Sequence, residues 1–146
     1  MCGSNSDTIA LLSINPKYVR AIESGKKKIE FRKIMFKNDV RIILVYETVP
    51  QKKIVGCIEV KTIDVATPKT IWSKYSTYGF LSQSEFDSYY KNKEFAVGIV
   101  INKYIPFKFP LGLKEYNLFP PQSYCYVSGD LFQKLINESG AEYNII

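Results

Sequence analysis

The chain contains no histidine among its 146 residues. That absence excludes the Ser-His-Asp and Cys-His nucleophile systems and any zinc site that needs an imidazole. Cysteine is scarce as well: Cys2, Cys57 and Cys125 are odd in number, far apart, and form no CxxC pair. They are too few for a cysteine-only zinc site, and without a secretory signal they read as free thiols of a reducing cytoplasm. No metal and no other cofactor is expected. Any catalysis must draw on Lys, Glu, Asp, Tyr, Ser, Thr or Cys. No apolar run approaches the ~20 residues of a membrane span, so no membrane partner is expected. Residues 1–7 lack the basic and apolar stretches of a signal peptide. There is no internal repeat and no low-complexity linker. Residues 1–8 are therefore read as a flexible tail and residues 9–146 as a single domain, long enough for a real core.

What the chain does have is positive charge, and it is concentrated. The whole sequence carries +6. Between residues 17 and 37 stand Lys17, Arg20, Lys26, Lys27, Lys28, Arg32, Lys33 and Lys37, against only Glu23 and Glu30. This window alone accounts for the full net charge, and the remainder is formally neutral. A localised positive site points to an anionic partner more strongly than the same charge spread evenly. Aromatic residues are also plentiful, eleven of them Tyr. Tyr joins apolar area to a polar tip, so it suits a barrel core and a base-stacking surface alike.

The order of elements follows from caps and periodicity. Residues 9–14 form a short apolar run, read as a central strand. Asn15 and Pro16 start a helix, Asn as cap and Pro in the first turn, and Gly25 ends it in a left-handed conformation. Residues 28–33 alternate: Ile29 and Phe31 point one way, Lys28, Glu30 and Arg32 the other. Strands are expected near residues 40–47, 53–61, 94–104 and 124–127, with Gly56 marking a bulge. Thr67-Pro68 and the capping box Ser82-Gln83-Ser84-Glu85 open two short helices, and Ser128 opens a last one that stops near Gly140. Trp72, Tyr75 and Tyr78 read as a buried helix face. The four prolines of residues 105–121 permit edge strands and turns but not a central strand. Strands outnumber helices and connections are short, which favours an α+β fold around a small, curved, partly closed sheet.

Two features carry chemistry. Lys26 to Lys28 follow a helix stop, so their side chains are expected to project into solvent, either as helix-capping cations or as a phosphate-contacting patch. Lys28, Glu30 and Arg32 share a strand face. They form either a surface ion-pair ladder or a recognition set, with Arg donating in pairs and Glu accepting from an amino group. Asp64, Asp87 and Glu94 show no metal-ligand spacing.

Residues 9–32, IALLSINPKYVRAIESGKKKIEFR, resemble the N-terminal signature of the ASCH domain, a branch of the PUA-like superfamily. The likeness lies in the apolar strand, Ser-Ile-x-Pro, the helix with Tyr18 and Ile22, and Ser-Gly-x-Lys-x-x-Glu-x-Arg. Ile54-Val55-Gly56 and Pro120-Pro121-Gln122-Ser123-Tyr124 extend it to about residue 127. The resemblance implies a PUA-like small β-barrel of about six strands with short flanking helices. It also implies a cleft beside the Gly25–Lys27 turn in which relatives bind RNA or hold a modified base. Matching positions are Gly25, Lys27, Glu30 and Arg32, with Gln122 and Ser123 near the same cleft. One branch hydrolyses the acyl amide of N4-acetylcytidine with a lysine, a threonine and a glutamate. Lys27 matches that lysine, but Glu30 stands where the threonine nucleophile would be, and a carboxylate lacks the hydroxyl.

The resulting expectation is a binding module for RNA or a nucleotide-like anionic ligand, possessing a regulatory role such as control of transcription. Lys17, Lys26, Lys27, Lys28 and Lys33 would contact phosphate. Glu30 and Arg32 would face the cleft, with Gln122 and Ser123 beside them. The alternatives are a metal-independent amidohydrolase of acylated nucleosides, with Lys27 and Glu30 catalytic, and a module that docks an acidic protein.

Overall fold

The computed structural model describes residues 8–143. Residues 1–7 of the expected 1–8 tail, Cys2 among them, lie outside the described residues. Among the described residues, six strands and four α-helices follow in the order β1 (Ile9–Ile14), α1 (Pro16–Glu23), β2 (Ile29–Arg32), β3 (Ile42–Glu47), β4 (Lys53–Ala66), α2 (Pro68–Tyr75), α3 (Gln83–Tyr89), β5 (Ala96–Leu111), β6 (Tyr124–Tyr126) and α4 (Gly129–Ser139).

The caps fall where the sequence places them. The Asn15 side chain accepts from Lys17 N at 2.9 Å, and Gly25 sits at φ 80°. Thr67 caps α2, the Ser82–Glu85 capping box is closed in both directions, and Ser128 caps α4. Each satisfies backbone donors that the first helical turn leaves unpaired.

One sheet holds all six strands in the order β2-β5-β4-β3-β1-β6. β1 and β3 are parallel; every other pair is antiparallel. β1 lies inside the sheet and is buried on both faces, which is why its sequence is apolar at every position but Ser13 rather than alternating. Ile9 and Leu11 join a core beneath α4, while Ala10, Leu12 and Ile14 join a second core with Val19 and Ile22 of α1. A third cluster packs Ile29 and Phe31 of β2 against Ile71 of α2, Phe86 of α3 and Tyr90 at the α3 C-cap.

β4 and β5 are longer than expected. β4 continues to Ala66 across register shifts beside Gly56, Glu59 and Val60, where bulges bend it. β5 runs on through Pro106 and Pro110 to Leu111. The prolines are tolerated because β2 pairs only with Val97–Val100, and beyond Ile101 the ladder of β5 is to β4 alone. That half of β5 is an edge, where a missing N–H can face outward.

The bends curl the sheet until its two edges meet. Arg32, on edge strand β2, donates to the carbonyl of Ser13 at the end of β1 (3.4 Å) and to that of Ser123 just before edge strand β6 (3.2 Å). One guanidinium thus ties the open seam of a half-barrel, and the cleft lies along that seam.

Candidate ligand-binding cleft

The turn between α1 and β2 builds the cleft floor. Gly25 allows the chain to reverse, and Lys27 N then donates back to Ala21 O at 3.0 Å. This turns the Lys27 side chain inward. Its ammonium donates to Gly79 O at 2.7 Å, lies 3.4 Å from Glu30 Oε1, and sits 5.1 Å from the Tyr18 ring centroid and 5.3 Å from that of Phe31. A Cβ at Gly79 would lie 2.2 Å from the Phe31 ring, so any other residue there has to displace that buried ring. Glu30 Oε2 accepts from Arg32 Nη1 at 3.2 Å. A buried carboxylate is therefore held between two cations.

The expectation that Lys26 to Lys28 all project into solvent is corrected here. Lys27 is only 3% exposed, whereas Lys26 and Lys28 are exposed. Helix-end geometry gives the turn, but the Gly79 carbonyl and Glu30 partner the inward-turned ammonium and offset part of its desolvation. The surface ion-pair ladder is corrected too. Glu30 is 6% exposed, so the polar side of β2 faces the cleft interior and not bulk water.

Two hollows, each of about 260 Å³, flank the Arg32 guanidinium. The first contains Ser13, Tyr18, Lys27, Glu30, Leu81 and Glu85. The second contains Lys33, Ile34, Phe36, Gln122, Ser123 and Tyr124. Arg32 and Tyr89 line both. Of the residues expected at the site, Lys27, Glu30 and Arg32 thus meet in the first hollow, and Arg32, Lys33, Gln122 and Ser123 in the second. Lys17, Lys26 and Lys28 line neither; Lys17 reaches the rim, 3.8 Å from Glu85.

Burial pulls the Lys27 ammonium below the ordinary lysine range, against the opposing pull of Glu30. Burial pushes the Tyr18 phenol up, helped by the negative charges of Glu85 and Glu30. Burial likewise raises Tyr89, although Arg32 opposes it. Both phenols therefore remain protonated donors at neutral pH. The Glu30 oxygens have one cation each and keep further lone pairs for an amino group. Such a cleft offers flat aromatic area, phenolic donors and the carboxylates of Glu30 and Glu85, above a floor where Lys27, Glu30 and Arg32 sum to a single positive unit.

Tyr18, Tyr89, Glu85 and Tyr124 are cleft residues that sequence reasoning did not assign to the site. A signal for Tyr89 existed. Phe86 of α3 and Tyr90 at its C-cap are four apart and both buried, which leaves Tyr89 a third of a turn away, at the edge of the core. Tyr78, by contrast, is 47% exposed and does not belong to the buried face expected for α2. Among the described residues, no group of three or more His, Cys, Asp or Glu is placed to hold a metal ion, and no helix is long and apolar enough to cross a membrane.

The family profile of the ASCH domain matches residues 12–105. The large ribosomal subunit protein uL22 of Ureaplasma parvum serovar 3 is 33% identical over 109 residues, covering 74% of this chain and 35% of that protein. The chain thus spans about a third of the length of that relative. An ASCH domain-containing ribonuclease of Zymomonas mobilis is 31% identical over 134 residues, 88% of this chain and 90% of that one. The crystal structure of ASCH from Zymomonas mobilis superposes with a TM-score of 0.82 at 29% identity, over 90% of this chain and 95% of the other. The curled six-strand half-barrel with four helices is therefore a PUA-like fold.

Proposed function

This chain belongs to the ASCH domain family, and on that premise we propose that its seam cleft binds single-stranded RNA. The observation that carries this reading is the first hollow itself: Tyr18 and Tyr89 beside a buried, cation-held Glu30. Unstacked RNA bases are recognised by aromatic faces and by hydrogen bonds to their edges, and a base in a duplex offers neither to a hollow of this shape. Glu30 would accept from the exocyclic amino group of adenine or cytosine, as carboxylates do at base edges. Lys33 and Lys17 stand at the rim, where a phosphate would pass. The ribonuclease relative supports RNA, rather than another anion, as the ligand.

The test is fluorescence anisotropy with short labelled single-stranded RNA, duplex RNA and single-stranded DNA across a salt series. Single-stranded RNA binds in a saturable manner, with log K falling by about 0.7 per phosphate contact for each decade of salt. Equal affinity for the duplex, or no binding at low salt, would sink the proposal.

A second reading, cleavage of the bound RNA, is favoured by that same relative, which aligns over 90% of its own length. In such a step the 2′-oxygen attacks phosphorus and the bond from phosphorus to the 5′-oxygen breaks. One group takes the 2′-hydroxyl proton and another supplies a proton to the leaving oxygen, giving a 2′,3′-cyclic phosphate. Tyr18, held protonated beside the first hollow, is the cleft group suited to supply the second proton, and the Glu85 carboxylate lining the same hollow is suited to take the first. Chromatography of a long RNA incubation for cyclic-phosphate ends, with Tyr18→Phe as the comparison, separates cleavage from binding.

A further inference from the structure

We infer that the two hollows are subsites for consecutive nucleotides, so that the smallest complete ligand is two linked nucleotides with their phosphodiester over Arg32. This rests on the RNA reading above and gives the ligand its length.

The hollows are equal in volume and share Arg32 and Tyr89 as a common partition. A single base cannot occupy both, because the guanidinium is fixed between them. It donates to Ser13 O, Glu30 Oε2 and Ser123 O, tying β2 to the far edge of the sheet. Those bonds use three of its five N–H groups, and the other two have no partner in the hydrogen bonds found among the described residues. A cation with donors to spare, sited between two aromatic-lined hollows, suits a phosphodiester oxygen. Lys33 adds a second charge there, its ammonium 4.5 Å from the Tyr89 ring centroid.

The second hollow is a constructed wall and not a gap between loops. The chain that follows β2 is pinned to β6 by two phenols: Asn38 N donates to Tyr126 Oη at 3.0 Å, and Lys37 N to Tyr124 Oη at 3.4 Å. Phe36 then meets Tyr124 edge-on at 4.8 Å. This gives an aromatic surface for a second base, and the exposed Gln122 amide lies beside it with both donor and acceptor capacity.

Calorimetric titration of AMP, the dinucleotide ApA and the trinucleotide ApApA tests the proposal. ApA should bind roughly tenfold more tightly than AMP, the gain of a second stacked base, and ApApA within about threefold of ApA. Ile34→Glu is the companion variant. Ile34 is 58% exposed, so the fold tolerates the change, yet it puts a carboxylate in the second hollow. It should erase the advantage of ApA over AMP. If long single-stranded RNA binds but ApA is no tighter than AMP, or if Ile34→Glu leaves that advantage intact, the two-subsite inference fails alone. If no RNA of any length binds, the RNA reading fails and takes this inference with it.

Discussion

Lys27 and its neighbours Lys26 and Lys28 share a side chain and a turn but not an environment. Lys27 lies on the cleft floor, 3% exposed, bonded to Gly79 O and paired with Glu30. Lys26 and Lys28 stand in water. The same contrast runs through the whole basic window. Arg20 pairs with Glu23 and Glu47, and Arg32 with Glu30 and two carbonyls, so these cations hold the structure together. On the proposed RNA reading, Lys33 and Lys17 at the rim and the spare donors of Arg32 are what would meet the ligand. Net charge therefore overstates binding charge: part of the excess is spent inside the molecule, where it shapes the cleft instead of attracting the partner.

The largest test of this contrast is on stability. Removing one member of a buried ion-paired set leaves the others uncompensated, so Glu30→Ala should lower the unfolding free energy by about 3–5 kcal/mol in urea, and Lys27→Ala by a similar amount. Lys26→Ala and Lys28→Ala should stay within ~0.5 kcal/mol of the parent. A Lys27→Ala protein as stable as the Lys26→Ala one would dissolve the distinction between floor and rim.

Next in size is the aromatic contribution. Tyr89→Leu keeps apolar bulk against Tyr90, whose ring lies 4.8 Å away, and removes the stacking face. RNA affinity should fall by about 1–3 kcal/mol with the urea midpoint little changed.

The pH dependence sharpens the comparison further. Burial lowers the folded pKa of Lys27 below its ordinary value of 10.5. Between those two values the unfolded chain binds more protons than the folded one, so this group adds stability as pH rises through that window. The stability of the parent relative to Lys27→Met should therefore increase as pH climbs toward 10.5. Denaturation of the two proteins at a series of alkaline pH values measures this, and a flat difference would argue against a desolvated ammonium.

The smallest expected effect is at the rim. Lys33→Ala should reduce the slope of log K against log salt by about 0.7, one phosphate contact, while leaving stability nearly untouched. An unchanged slope would remove Lys33 from the path of the phosphates.

The elements were legible in the sequence because their signals are local. Asn15-Pro16, Thr67-Pro68 and Ser82 with Glu85 are caps written within four residues, and Gly25 and Gly140 are stops that one φ angle explains. The ASCH-like signature located the floor residues Lys27, Glu30 and Arg32. What could not be read is which way Lys27 turns, since that depends on a carbonyl 52 residues away. The partition between the hollows was hidden for the same reason: Arg32 meets Ser123 across 91 residues, and only the curl of the bulged strands brings them together. Tyr89 and Tyr124 join the site through that same curl.

The central claim, that the cleft along the seam binds single-stranded RNA through its aromatic and rim groups, is tested most directly by anisotropy of a labelled single-stranded RNA across a salt series. The parent, Tyr89→Leu and Lys28→Ala would be measured side by side. The account predicts salt-sensitive binding that Tyr89→Leu weakens at least fivefold, as a loss of ~1 kcal/mol or more requires, and that Lys28→Ala leaves close to the parent. Binding that is absent, or that Lys28→Ala reduces while Tyr89→Leu does not, would contradict it.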